Sequence, residues 1–302
     1  MKVLVTGGAG SIGTALVEKL SYLPEISGIT VYDNLAATTT DFFFHSQMDK
    51  SKVKFVKGDI LETRKIQKYV KEADTVVHLA SLHLKSEDNT AAHHMEQVNH
   101  WGTAELTYAI ENASIKKLVF VSAAEVYGFS EETKTEKSDP APSTSFAVSK
   151  WRGEAHVSRL ASKLESTIFR PGIVAGFGPV KKIQGVANQF LFDMLAKNKL
   201  SIYGNGKQVR PFVSLPYVVN SLLASVSGNI PSGMYNLTEA NLQILDVLEA
   251  LKKIQPNVEF VFNNHHLQLP SLSVSTEHAD ALPPSQFDLE ELYRNTLKNI
   301  IN

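Results

Sequence analysis

The chain has 302 residues, 43% hydrophobic and 20% charged, with 30 Lys plus Arg against 31 Asp plus Glu. That composition suits a soluble globular protein with a substantial core in one or two domains, and its near-zero net charge gives no electrostatic reason to expect nucleic acid or an anionic membrane as a partner. Cysteine is absent, which excludes disulfides, zinc–thiolate sites and a cysteine nucleophile. No apolar run approaches the ~18 residues of a membrane helix, and a strand that starts at Lys2 leaves no signal peptide, so a cytoplasmic protein is expected.

Taken in chain order, β-branched runs at 2–6, 29–33, 53–58, 75–80, 117–122 and 166–171 alternate with helix-length segments at 12–23, 41–50, 62–72, 91–113 and 145–163. Such alternation predicts a parallel sheet with right-handed crossovers and helices on both faces. After Pro171 the pattern loosens into a Gly-rich loop, a helix at 186–197 and short strands at 201–204, 211–215 and 234–238. Leu242, Leu245, Leu248 and Leu251 predict a helix over 241–254 packed by one face. A polar, Pro-dotted tract over 262–286 leads to a last helix from about 287.

The stretch "VTGGAGSIG" (5–13) ends the first strand and opens the first helix. Gly7, Gly10 and Gly13 permit a tight turn and close backbone approach to a pyrophosphate, which would lie over Gly10, Ser11 and Ile12 at the helix N-terminus. Asp33 follows at the end of the second strand, twenty residues past Gly13, placed to accept from both ribose hydroxyls and to repel a 2′-phosphate. NAD is favoured over NADP. The expected fold is α/β: a Rossmann-type doubly wound parallel sheet over 1–171, with a smaller substrate-binding part over 172–302 whose strands near 211–238 are able to return to the sheet.

The segments "TGGAGSIG", "VYDNL", "KGDI", "VVHLAS", "VNHWGT", "VSAAEVYG", "RPGIVAGFGP" and "GNGKQVRPFV" occur in order between residue 3 and about 213. On these the chain resembles the extended short-chain dehydrogenases/reductases of the nucleotide-sugar epimerase/dehydratase group, such as UDP-glucose 4-epimerase. The resemblance implies that Asp59 and Ile60 lie along the adenine, with Asn34 beside Asp33. It implies Leu79, Ala80 and Ser81 under the pyrophosphate and ribose, and Asn99 behind the nicotinamide half. Ser122 and Pro171 complete the implied cofactor set. Asp59 also suits a loop carboxylate capping the helix at 62–72. His78 reads as packing at a strand end, and the His pairs at 93–94 and 265–266 as surface residues without a third ligand, so no metal site is expected.

In that family a Tyr takes a sugar hydroxyl's proton, a Lys four residues later lowers the Tyr pKa, and a Ser or Thr shares the hydrogen bond to the sugar oxygen. Here Lys150 stands in its place, but the Tyr position is Phe146 and the Ser/Thr position is Ala123. Phe cannot ionise, Ala offers no hydrogen bond, and Ser122 would point to the opposite face of its strand. Glu125 occupies the place where eliminating members often carry Glu, but Ala124 stands where a dehydratase has Asp, so an epimerase or decarboxylase-like motif fits slightly better than a dehydratase pair. A strand-end carboxylate facing water is an equal reading.

By the same resemblance Arg210 grips a nucleotide-sugar diphosphate with a bidentate guanidinium. Pro211 and Ile173 depart from the family's Asp and Asn, and no Arg occurs between Arg210 and Arg294; Lys181, Lys182 or His266 would have to compensate. The leading expectation is an NAD-dependent epimerase or dehydratase/decarboxylase-like enzyme that transiently oxidises the hydroxyl of a nucleoside diphosphate sugar, in a copy disabled at Ala123 and Phe146. Two readings stand beside it: a dehydrogenase of a small alcohol, and a non-catalytic NAD and sugar-nucleotide binder. Both losses fall on catalytic positions while the surrounding motifs stay intact, which suggests a substrate trap. A homodimer pairing the helices at 91–113 and 145–163 is expected from the family.

Overall fold

The structure is a computed structural model that describes residues 1–36, 41–44, 47–181 and 183–301. Its first half alternates β1 (Lys2–Thr6), α1 (Ser11–Ser21), β2 (Gly28–Asp33), α2 (Asp41–Phe44), β3 (Val53–Lys57), α3 (Thr63–Val70) and β4 (Thr75–His78). Then come α4 (Asn89–Met95), a π-helical turn (Glu96–Trp101), α5 (Gly102–Glu111), β5 (Lys117–Val121), α6 (Ser145–Ser158) and β6 (Glu165–Pro171). The second half holds β7 (Ile173–Ala175), α7 (Gly185–Leu195), β8 (Leu200–Tyr203), β9 (Val209–Ser214), α8 (Leu215–Val226) and β10 (Gly233–Leu237). It closes with β11 (Ala240–Gln243), α9 (Ile244–Ile254), β12 (Phe260–Asn263) and α10 (Leu289–Ile301).

Seven strands form one parallel sheet in the order β10-β6-β5-β4-β1-β2-β3. Its central strands are buried almost without alternation, as both-face coverage demands. One face packs against α1 and α8 through Leu16, Val17, Leu20, Val218 and Leu222. The other packs against α3, α5 and α6 through Ile66, Leu106, Ile110 and Val157. The chain leaves β1 toward β2 and returns at β4 on its other side, so the strand order reverses between β1 and β4. A crevice opens there at the carboxyl ends, the usual ligand position in this fold.

A second core joins α7, α9 and α10 to a three-stranded sheet, β11-β9-β7, and to the β12-β8 pair. Gly172 alone separates β6 from β7, so the smaller part grows directly out of a main-sheet strand. Of the strands expected near 211–238, β10 pairs with β6 in the main sheet, whereas β9 pairs with β7 and β11.

Three expected helices take a different form. The one expected at 241–254 starts at Ile244, because Gln243 and Asp246 close a capping box that begins the helix there; Leu242 lies on β11 opposite Arg210 instead. The single helix over 91–113 is interrupted by the π turn. Within the 41–50 segment α2 is one turn, and residues 45 and 46 lie outside the described residues.

A buried ion pair ties the sheet to α6. Arg170 on β6 donates from Nε (2.9 Å) and Nη2 (2.6 Å) to the two carboxylate oxygens of Glu154 on α6. Its Nη1 donates to the Tyr127 hydroxyl (2.8 Å), which donates in turn to Asn236 Oδ1 on β10 (2.9 Å). Removing one partner of such a pair leaves the other charge buried and unmatched, a cost of about 3–5 kcal/mol. Arg170→Met is therefore expected to lower the urea-unfolding free energy by about that amount, while Glu154→Leu with Arg170→Met recovers most of it; equal losses in the single and double variants would contradict this.

Candidate active site

The glycine loop fills the crevice. Gly7 has φ +68°, and a Cβ there would stand 2.5 Å from the backbone nitrogen of Ala80. A Cβ on Gly13 would meet the Gly7 carbonyl at 2.6 Å. The loop and the β4 end thus approach too closely for any side chain. Helix α1 begins after Gly10 with no side-chain cap on its first N–H groups, which leaves donors and the positive helix end directed at an anion. This cradle fits a dinucleotide pyrophosphate.

Asp33 braces the same loop. Its Oδ2 accepts from the Ala9 N–H (3.0 Å) and its Oδ1 from the Leu35 N–H (2.8 Å). Asn34 donates to Asp59 Oδ2 (2.8 Å), and Asp59 Oδ1 accepts from the Leu61 N–H (3.0 Å). Asp59 therefore shapes the turn before α3 rather than capping its first turn, where Glu62 holds the cap position. The Ile60 side chain is packed in the core against Gly102.

Asn99, in the π turn, is fully buried. Its Oδ1 accepts from the Ser81 hydroxyl (3.1 Å) and the Leu82 N–H (2.8 Å), and its Nδ2 donates to the Leu82 carbonyl (2.8 Å) and the Ser149 hydroxyl (3.0 Å). One amide thereby fixes the β4 loop, Leu79–Ala80–Ser81, against α6. His78 is buried between the hydroxyls of Thr6 (2.7 Å) and Thr103 (2.9 Å), and burial depresses its pKa to about 3. It is a neutral packing residue, as its strand-end position suggested.

A cavity of about 470 Å³ runs from this loop to the smaller part. Gly7, Gly10, Ser11, Ile12, Gly13, Leu79, Ser81, Ser122, Ala123, Glu125, Phe146, Lys150, Pro171, Ile173 and Arg210 all line it. Asp33, Asn34, Asp59, Ile60, Ala80 and Asn99 stand around it without forming its wall. The Ser122 hydroxyl is buried without a hydrogen-bond partner among the described residues.

The chemical end of the cavity is apolar where the family pattern is polar. Phe146 stacks against His83, with ring centroids 4.4 Å apart, and Ala123, 8% exposed, lines the same cavity. Lys150 is 2% exposed and holds its Nζ over the Phe120 ring at 4.4 Å. Burial lowers its pKa to about 7, against an opposing pull from the Glu154 carboxylate. Burial raises the pKa of the Glu125 carboxyl; the Arg210 cation opposes that shift and the Glu87 carboxylate adds to it.

Arg210 is half-buried. Its Nη1 donates to the carbonyls of Val209 (2.8 Å) and Pro270 (2.7 Å), and its guanidinium lies 4.9 Å above the Phe129 ring. The contacts named use one guanidinium nitrogen, and Glu125 supplies the nearby negative charge. Lys181 and His266 face solvent off the cavity wall, so neither compensates there; Lys182 lies outside the described residues.

His83, Phe129, Thr144, Gln184, Asn188 and Leu272 also line the cavity and escaped the sequence reading. Only His83 carried a usable signal: it lies five residues past the end of a strand on the binding side of the sheet. The others come from loops and helices brought in by tertiary packing.

The Lys150 ammonium links site to stability. Its folded pKa of about 7 lies below the ordinary 10.5, so the unfolded chain binds more protons between those values. Its burial penalty is full below about pH 7 and fades as pH rises. The unfolding free energy of the cofactor-free chain is expected to climb by about 1 kcal/mol per pH unit from pH 7 to 9, and Lys150→Met is expected to flatten that climb. Urea titrations at three pH values check it; a wild-type slope matching the variant's would contradict it.

A family profile described as the NAD dependent epimerase/dehydratase family matches residues 3–237. The dTDP-D-glucose 4,6-dehydratase of Bos taurus is 27% identical over 254 residues, covering 83% of this chain and 72% of that protein. The UDP-glucuronic acid 4-epimerase of Bacillus cereus, solved with UDP-glucuronic acid and NAD, superposes with a TM-score of 0.88 at 22% identity, covering 100% of this chain and 99% of that one. A tyrosine-to-phenylalanine mutant of that epimerase, solved with UDP-4-deoxy-4-fluoro-glucuronic acid and NAD, gives 0.87 at 24% identity, with 99% and 100% covered. The match over most of the chain, on a doubly wound sheet with a glycine cradle at its switch point, makes this chain a member of the NAD-dependent epimerase/dehydratase family.

Proposed function

We propose that the chain binds NAD along the glycine loop and a nucleoside diphosphate sugar toward Arg210, at a site built for transient oxidation of a sugar hydroxyl but lacking its proton-transfer pair. The observation that carries this is the joint placement of Phe146, Ala123 and Lys150 on one cavity wall that reaches both the glycine loop and Arg210. NAD, when bound, supplies the hydride acceptor. Asp33 would accept the adenosine ribose hydroxyls, the Gly10–Ile12 N–H groups would hold the pyrophosphate, and Lys150 would hold the nicotinamide ribose.

In the working form of this reading, a tyrosine at 146 takes the sugar hydroxyl proton and a serine at 123 shares its hydrogen bond, with Lys150 lowering the phenol's pKa. Glu125, with its raised pKa, is then placed to exchange a proton with an oxidised sugar, which serves epimerisation or elimination. In this chain the proton has no such acceptor, and the result is a substrate trap: ligands bind and turnover stops. The mutant epimerase above supports this, since it carries phenylalanine for a tyrosine and was solved with both ligands.

The alternatives diverge at measurable points. A small-alcohol dehydrogenase needs no Arg210 in the cavity wall. A non-catalytic sensor is the remaining reading. Homodimer formation through the α4–α5 and α6 face, and a cytoplasmic location, belong to the same proposal.

The first test is a thermal-shift screen. NAD is expected to raise the melting temperature more than NADP, and UDP-glucose or UDP-glucuronic acid to raise it further with NAD present; a preference for NADP would overturn the cofactor assignment. The second is Ala123→Ser with Phe146→Tyr, assayed for sugar-nucleotide conversion. A positioned general base is worth ~10²–10⁴-fold in rate, and a gain of that order without net NADH is expected. A double variant that binds both ligands and stays inert favours the sensor, whereas steady NADH release favours the dehydrogenase.

A further inference from the structure

The amine of Lys150 is a nucleophile that the proposed hydride chemistry leaves unused. Its side chain is 2% exposed and lines the cavity, so the little surface it keeps is turned to cavity space. Nζ stands 4.4 Å from the centroid of the Phe120 ring. Among the described residues no oxygen accepts from it, and both carboxylate oxygens of Glu154 are held by Arg170, at 2.9 and 2.6 Å. Phe146 and Ala123 stand where an amine would find a partner, and neither has a side-chain oxygen. We propose that, in the chain without NAD, Lys150 captures small uncharged aldehydes from the cavity as an imine.

The step needs only the two partners. The Nζ lone pair attacks the carbonyl carbon and forms a C–N bond, while the carbonyl π electrons pass to oxygen, which takes a proton from the nitrogen. The carbinolamine then loses its hydroxyl together with the last nitrogen-bound proton as water, and the nitrogen lone pair closes the C=N bond. One amine and one aldehyde give one imine and one water, with no change of oxidation state. Bound NAD would cover the amine, so capture belongs to the cofactor-free chain.

The surroundings supply the neutral amine that this attack requires. An amine held against an aromatic face in an apolar wall loses the water that would stabilise its charge. Burial lowers its pKa to about 7, and Glu154 pulls the other way. His78, the other titratable group that reaches it, is buried and neutral. At pH 7 about half of Lys150 is free amine, against roughly one part in three thousand for a lysine of ordinary pKa 10.5. The aldehyde class follows from the lining. Leu79, Val121, Ala123, Phe146 and Ile173 make much of the wall apolar, while Glu125 and Arg210 act on each other. Such a wall suits a short aliphatic carbonyl and penalises an unpaired charge.

The test uses the full chain freed of NAD, with propionaldehyde and cyanoborohydride at pH 7 and peptide mass mapping of the propylated amines. Cyanoborohydride reduces each imine to a stable secondary amine, so Lys150 is read directly in the wild type, apart from the Met1 amine and the other lysines. Lys150 is expected to be labelled about 10²–10³-fold faster than the exposed lysines, in keeping with its larger share of free amine. That advantage is expected to shrink as pH rises from 7 to 9, where its own amine is already free and theirs is still being released. Phe146→Tyr is expected to slow labelling of Lys150 at pH 7 about fivefold or more, because one pKa unit upward protonates most of the amine. Labelling of Lys150 no faster than that of the exposed lysines, or equal rates in the wild type and Phe146→Tyr, overturns the proposal.

Discussion

The contact between Arg170 and Glu154 ties together the elements that carry Phe146, Lys150, Ala123 and Glu125. Arg170 is on β6, Glu154 lies one helical turn beyond Lys150 on α6, Tyr127 ends the turn that carries Ala123 and Glu125, and Asn236 is on β10. One guanidinium thus joins four elements that share no local sequence. Its planar fork can satisfy two carboxylate oxygens and a phenol together, which a lysine's point charge could not. The same burial is costly for any member left alone, so the four elements hold together or fail together.

Lys150 sits in different circumstances one turn away. Its nearest described partners are the face of Phe120 and the Glu154 carboxylate, which is already engaged. A phenolate four residues earlier would favour the charged form of this amine, and a phenylalanine cannot. The two departures at 123 and 146 therefore remove an ionisable group and a hydrogen-bonding group from the cavity, while Glu125 and Arg210 remain on its wall.

Much of this architecture was legible in the chain because it is encoded locally. Strand and helix alternation, the three glycines and Asp33 each follow from the conformational needs of a few consecutive residues. What could not be read depends on contacts between distant segments. Leu242 has helical spacing with its neighbours but pairs across to β9, since the capping box at Gln243 starts the helix only afterwards. Phe129, Gln184 and Asn188 reach the cavity from a loop and from the start of α7. The Arg170–Glu154 pair is invisible in one dimension, because each side chain alone is an unremarkable polar residue on a helix or strand.

The π turn at Glu96–Trp101 has a consequence for how this stretch can change over generations. Each residue advances an α-helix by about 100°, and a π turn holds a surplus residue within an otherwise regular helix. A residue absorbed in this way leaves the phase of the helix beyond it unchanged, so Thr103, Leu106 and Ile110 of α5 stay turned to the core. Loss of a single codon between 96 and 101 would restore a plain helix and leave α5 seated, with the damage confined to the hydrogen bonds of Asn99 to the β4 loop. Loss of a second would turn α5 about its own axis by about 100° and take its apolar face out of the core. The segment can thereby shed one residue at a local cost, and no more.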